Sequence, residues 1–301
     1  MRTVHTLLFV TVAASFSTGC DSSHPVISDE AAYIESIKDW QHSRLERLKG
    51  KTGWLNLAGL LWLEEGRNSF GSDPSNDIVF PDKADAFCGT LTLTGGVVTL
   101  EVAEGIRITN NDTVVSKLEL QNDRSENTTH LQQGDLSWNI IKRDEKYGIR
   151  LRDYKHPRIG ELNHIPSYPV STDYVVEATL VPFEEPKTMT VATPMEGFTQ
   201  SYQCPGELHF RLNRKDLVLY PFTSRNRYFL IIADETTGLE TYGAGRYMYT
   251  VPDSTGRIIL DFNKAYNPPC AFSPFATCPM PPRENFLPVG IRAGEKSVHL
   301  D

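Results

Sequence analysis

From Gly50 onward the chain alternates apolar and polar residues with a period of two, broken by turn residues about every 8–12 positions. Leu91 and Leu93, then Gly95-Gly96, then Val98 and Leu100 read as a hairpin closed by a primed turn. Ile106 and Ile108 lead into Asn110-Asn111-Asp112, another turn, and then Val114. Leu136, Trp138 and Ile140 run up to the Arg143 to Lys146 turn, and Ile149 and Leu151 run back. Arg150 and Arg152 fall on the face opposite that pair. Strand-like segments continue at 174–180, 189–191, 208–212, 217–219, 228–233, 246–251 and 258–263. The expected fold is therefore mainly β, an antiparallel sandwich or barrel-like architecture. A second long helical pattern is absent, which argues against a doubly wound α/β fold.

One helix precedes the strands. Ser28 is placed to cap it, and Ile34, Ile37, Leu45 and Leu48 recur at helical spacing, with Tyr33 and Trp40 beside the stripe. Gly50 is a natural stop. The stripe predicts a helix packed on the body of the protein rather than on a membrane surface.

Residues 1–20 read as an address. Arg2 and a short apolar run from Leu7 to Ala14 precede Ser17, Thr18, Gly19 and Cys20. Small residues before a Cys resemble a lipobox, which implies cleavage before Cys20 and lipidation of its sulfur. The expected location is the bacterial cell envelope, lipid-anchored, facing the periplasm in a Gram-negative cell. The chain then divides into a tether and helix (21–50), an N-terminal β region (51–165) and a C-terminal β region (166–301). A net charge of −8 over 301 residues offers no basic footprint for a nucleic acid.

The C-terminal segment from Tyr266 is rich in Pro and aromatic residues, so it reads as a fixed, irregular loop that cannot join a central ladder. Cys270 and Cys278 lie within it. Besides Cys20, the chain has Cys88, Cys204, Cys270 and Cys278, which allow three pairings. A disulfide joining Cys270 to Cys278, buried free thiols, and a metal or catalytic Cys all stay open. No metal-ligand spacing is present, and no cofactor motif, nucleophile elbow or P-loop occurs.

Polar residues concentrate on the last strands. Asp261, Glu240 and Arg246 are the catalytic candidates, with a carboxylate as base and the Arg as anion clamp. Arg225, Tyr242, Asn263, Tyr266, Asn267, Glu284 and Asn285 are the ligand-binding candidates. The competing reading is that these groups cap turns and satisfy the backbone of a loop that cannot pair with itself.

The stretch DFNKAYNPPCAFSPFATCPMPPRENFLPV, with ADETTGLETYGAGRYMY before it, resembles the bacterial domain-of-unknown-function family sixteen-eighty-four. GWLNLAGLLWLEEGRNSFGSDPSNDIVFP and the central RLRD also match its pattern, so the resemblance runs from about Ala31 to Glu295. Its signature falls on Asp261, Asn263, Tyr266 to Cys270, Cys278, Pro279, Glu284 and Asn285, with Arg246 upstream. One departure follows RLRD, where Lys155 to Leu162 stand in place of an Arg-rich, Phe-Gly segment. The resemblance implies no activity. EEGRNSFGSDPSNDIVFPD is similar to the opening of forkhead-associated domains, sandwiches that bind phosphothreonine. Ser72 follows Gly71 where they carry Arg, and Asp85 to Cys88 replace their Ser and His, so the likeness implies a sandwich and not phosphopeptide binding.

Two functions follow as expectations. The first is an envelope lipoprotein that binds a small polar ligand, a glycan or a protein partner at the signature loop. The alternative is a hydrolase or lyase acting on a small polar or anionic substrate by carboxylate acid/base chemistry.

Overall fold

The computed structural model describes residues 27–194 and 198–299. The expected signal segment and Cys20 lie outside the described residues. Helix α1 spans Glu30–Lys49, and its cap is Asp29 rather than Ser28: the Asp29 carboxylate accepts from the Ala32 N–H at 2.9 Å. Ile37 and Leu48 of the predicted stripe are buried. Gly50 ends the helix with its N–H on the Glu46 carbonyl. Gly53 is the residue that the next turn requires to be small. A Cβ there would lie 2.0 Å from the Leu48 carbonyl oxygen.

The expected antiparallel sheets form, and no sheet among the described residues closes into a barrel. In the N-terminal half a six-stranded sheet runs, in spatial order, through Leu57–Trp62, Lys146–Asp153, Leu136–Arg143, Leu131–Gln133, Ile108–Asn110 and Thr113–Val115. A five-stranded sheet runs through Ile78–Val79, Gly66–Gly71, Gly89–Thr94, Val97–Val102 and Lys117–Leu120. Their facing side chains, including Phe70, Leu91, Leu100, Trp138, Ile140, Ile149 and Leu151, share one core. This is the inward set that the period-two pattern predicts. Gly95 and Gly96 turn the predicted hairpin with φ of 55° and 87°, and Asn111 and Asp112 turn the next with 47° and 63°. Both are the positive angles that a primed turn demands.

The C-terminal half stacks two four-stranded sheets. One orders Lys215–Leu219, Thr199–Leu212, Val175–Ala192 and Ile258–Asp261. The other joins Phe222–Ser224, Arg227–Asp234 and Arg246–Thr250, with Phe286–Leu287 added in parallel. The sequence reads 174–180 and 189–191 as separate strands, whereas the structure makes them one. A register shift between Pro182 and Lys187 absorbs the prolines that mark the break.

The strand Arg227–Asp234 is buried on both faces. Leu230 and Ile232 join the core between the sheets, while Phe229 and Ile231 face the signature loop at Ala276 and Cys278. The loop is thus a second cover layer, held by short helical turns at Pro269–Ala271 and Arg283–Asn285. No helix among the described residues is long and apolar enough to cross a membrane.

Candidate functional site

Strand alternation decides what faces the seam between the halves. Ile149 and Leu151 fill the N-terminal core, so Arg150 and Arg152 leave by the other face. Trp54, carried by the turn after helix α1, lies over both guanidiniums, 5.5 Å from Arg150 and 5.9 Å from Arg152. Arg152 donates from Nη1 to the Gly53 carbonyl and to Asn56 Oδ1 at 2.7 Å.

Helix α1, Trp54, the strands at Arg227 and Tyr249 and the signature loop enclose a cleft of about 550 Å³. Its walls are aromatic: Trp40, Trp54, Phe229, Tyr247, Tyr249 and Tyr266. Its cations are Arg44, Arg47, Arg227 and Lys264. Arg227 lies 3.8 Å over the Tyr249 ring, and Tyr249 stacks on Phe229 at 4.9 Å. Arg44 crosses the Tyr266 ring at 4.3 Å. Burial pushes the Tyr247 and Tyr266 phenols well above their ordinary range, so both stay neutral.

A second chamber of about 250 Å³ shares Trp54, Tyr247 and Pro269 with the cleft and runs back to Arg143 and Arg150. Arg124, Gln200, Thr277 and Asp123 complete its polar lining. Arg143 holds Asp123 at 2.9 Å and reaches the Thr277 hydroxyl at 3.3 Å. Among the described residues, the two chambers are lined by seven cations and one carboxylate. The excess stands out in a chain of net charge −8.

The residues picked from sequence divide between this cleft and the scaffold. Tyr266 and Asn267 line the cleft. Asp261 lines a neighbouring hollow instead, where it accepts from the Tyr33 hydroxyl at 2.8 Å and pairs with Lys264 at 3.2 Å. Asn263 bonds Tyr33 and both backbone groups of Ser171. Asn285 bonds both backbone groups of Tyr220 and the Ile231 carbonyl. Arg246 is buried, paired with Asp234 at 2.7 Å and donating to the carbonyls of Ile291 and Ala293. Glu240 sits at the surface with Arg292 and Tyr168, whose bonds hold its carboxyl below the usual range. Tyr242 is half-buried, and Arg225 and Glu284 are exposed on turns. None of these last five residues lines either chamber.

Trp40, Arg44, Trp54, Tyr249 and Arg143 line the two chambers without any sequence motif that marks them. The available signal was RLRD, a strand with two arginines on the face turned away from its own core. Among the described residues no cluster of His, Cys, Asp and Glu is arranged to hold a metal ion.

Cys270 and Cys278 are joined by a disulfide, and Cys88 and Cys204 are buried thiols. The bridge selects one of the open pairings and clips the loop that lends Ala276, Thr277, Cys278 and Pro279 to the smaller chamber. Replacing both cysteines by Ser should cost about 2–3 kcal/mol through the entropy of the released loop. A denaturant titration of the purified double variant reads that loss, and an unchanged midpoint would show that the loop holds its shape without the bridge.

Comparison with known proteins gives a family match over the C-terminal part of the chain. Residues 160–296 match the model of a family described as a protein of unknown function (DUF1684). The match covers the C-terminal part of the stretch from Ala31 to Glu295 and leaves out the segment beginning at Gly53. Among solved structures, the chain is similar to the solution NMR structure of the uncharacterized protein from gene locus rrnAC0354 of Haloarcula marismortui. That protein is 34% identical over 46% of this chain and 78% of its own, with a TM-score of 0.39. The chain is also similar to the FHA domain of FhaA, solved with the intracellular domain of Rv3910. There the identity is 17%, over 31% of this chain and 97% of that one, and the TM-score is 0.22. A further FHA domain, from work on phosphothreonine-dependent FHA interactions, is 17% identical over 31% of this chain and 92% of its own, with a TM-score of 0.22. No curated protein matches the chain.

Proposed function

We propose that this chain, whose residues 160–296 fall within a family of unknown function, is a binding module for a small anionic ligand with a flat or apolar body. The cleft between helix α1, Trp54 and the signature loop is the site. The observation that carries this is the lining: aromatic walls with four cations and no carboxylate in the cleft, and three more cations with one carboxylate in the chamber beside it, among the described residues of an acidic protein. Rings supply area at low entropic cost, and guanidiniums supply charge and geometry. In the same proposal, the segment up to Cys20 exports the chain and anchors it by lipid in the cell envelope.

The hydrolase or lyase alternative has less to stand on. Asp261 and Glu240 do not line the cleft, and each is already held by its own partners. Asp123, the acid that lines the smaller chamber, is held by Arg143.

Tryptophan fluorescence and thermal-shift titrations with matched neutral, cationic and anionic aryl compounds test the reading. The anionic members should bind and raise the melting temperature. Trp40→Ala and Arg227→Ala should each weaken binding up to about tenfold, the loss of one ring or cation–ring contact. Equal binding of the neutral compounds would remove the anion from the proposal, and binding indifferent to both substitutions would remove the cleft.

A further inference from the structure

We propose that the smaller chamber is an oxyanion subsite that takes a phosphoryl group, with the Arg150 guanidinium as its anchor and Arg143 and Thr277 beside it. This deepens the reading of the cleft as the ligand site and rests on it. Arg150 is 12% exposed, yet its nearest carboxylate oxygen, on Asp123, is 3.9 Å away. Its Nε–H is buried and has no acceptor. Asp123 is already taken by Arg143, at 2.9 and 3.1 Å. Burial is the main cause that pushes the Arg150 guanidinium down to about 10, and the neighbouring Arg143 and Arg152 add to it. Arg124, on the rim, makes no side-chain hydrogen bond or ion pair among the described residues, so the three guanidiniums that line the chamber face one carboxylate.

An isolated buried cation among like charges is costly unless a partner neutralises it. The fully buried charges Arg246 and Glu295, by contrast, have close partners in Asp234 and Arg44. The open space beside Arg150, about 250 Å³, exceeds what one phosphoryl group fills, and it shares Trp54, Tyr247 and Pro269 with the aromatic cleft. An excess of positive charge matches a dianion better than a carboxylate, and guanidinium forks match tetrahedral oxyanions in geometry. The head would sit in the chamber and the flat body between Trp40 and Tyr249.

The test uses the mature chain with inorganic phosphate, sulfate and acetate, each followed by calorimetry and by thermal melting. Saturating phosphate should raise the wild-type melting temperature by about 5 °C. Arg150→Met keeps the volume and removes the charge. In phosphate-free buffer it should melt at or above the wild type, and phosphate should move it by less than about 1 °C. Arg150→Lys keeps the charge without the fork and should bind phosphate about tenfold more weakly.

Several results would overturn the subsite. These are no phosphate binding by the wild type, an equal response in Arg150→Met, acetate binding as tightly as phosphate, or a lower melting temperature for Arg150→Met without anion, which would make the guanidinium a scaffold group. The two proposals separate through Trp40→Ala. Phosphate binding that survives Trp40→Ala while aryl anions bind no better than phosphate keeps the subsite and removes the aromatic cleft. Aryl anions that bind equally to wild type and Arg150→Met keep the cleft and remove the subsite.

Discussion

Replacing Asp234 by Asn should lower the melting temperature by roughly 10 °C, the effect of about 3–5 kcal/mol in a protein of this size. The side chains of Asp234 and Arg246 are 0% and 1% exposed, and they meet at 2.7 Å. One Asp234 oxygen accepts from the Thr236 N–H and hydroxyl and from the Ile291 N–H, and the other accepts from Arg246. An amide keeps the first set. It turns its NH₂ toward the guanidinium, setting donor against donor, and leaves a buried cation with only backbone carbonyls. Those carbonyls belong to Ile291, Ala293 and Glu295, so the pair pins the C-terminal segment to the sheet. A drop smaller than about 2 °C by circular dichroism would mean that the carbonyls alone suffice. The apolar double variant Asp234→Leu/Arg246→Met should recover much of the loss, because it removes the charge along with its partner.

Arg44→Met should cost a comparable amount at neutral pH, and the cost should depend on pH. Arg44 binds both Glu295 carboxylate oxygens and the Asn267 carbonyl while lying over Tyr266. It is the cation that holds helix α1 to the signature loop. Glu295 is 2% exposed, and burial raises its carboxyl above the usual range, with Arg44 the largest opposing influence. Without Arg44 the shift grows. A carboxyl raised in the folded state binds more protons there than in the unfolded chain, so folding stability falls as pH climbs from about 4.5 through the raised value. The gap between wild type and variant should therefore be small near pH 4.5 and reach about 3 kcal/mol by neutral pH. Urea titrations across that range read it. A gap that stays flat with pH would assign the loss to packing over Tyr266 rather than to Glu295.

These two pairs show why the polar signature misleads when read as chemistry. Arg246, Asn263 and Asn285 are rare, buried and hydrogen-bonded, as active-site residues often are. Each also bonds backbone: Arg246 the Ile291 carbonyl, Asn263 the Ser171 carbonyl and Asn285 the Ile231 carbonyl. Composition predicts that such a loop needs polar support, but it cannot separate support from catalysis. The cleft residues are opposite in kind. Trp40 and Arg44 come from the helix, Trp54 from a turn, Arg150 from an N-terminal strand and Tyr249 from a C-terminal one. None is near another in sequence except along the helix, so no spacing pattern marks them.

What the chain determines by itself is local. The period of two sets the strands and which side chains of each face inward, Gly95-Gly96 and Asn111-Asp112 set the primed turns, and the spacing of Ile37 and Leu48 sets the buried face of the helix. All of these depend on residues a few positions apart. RLRD belongs here too, since alternation alone puts Arg150 opposite Ile149 and Leu151. Only the tertiary structure decides what that face meets. It brings Trp54, the clipped loop and the Arg227–Asp234 sheet against it, gathers arginines into a cationic chamber, and leaves the buried Arg150 Nε–H without an acceptor. Enclosure and charge balance are sums over segments far apart in sequence, and folding alone completes the sum.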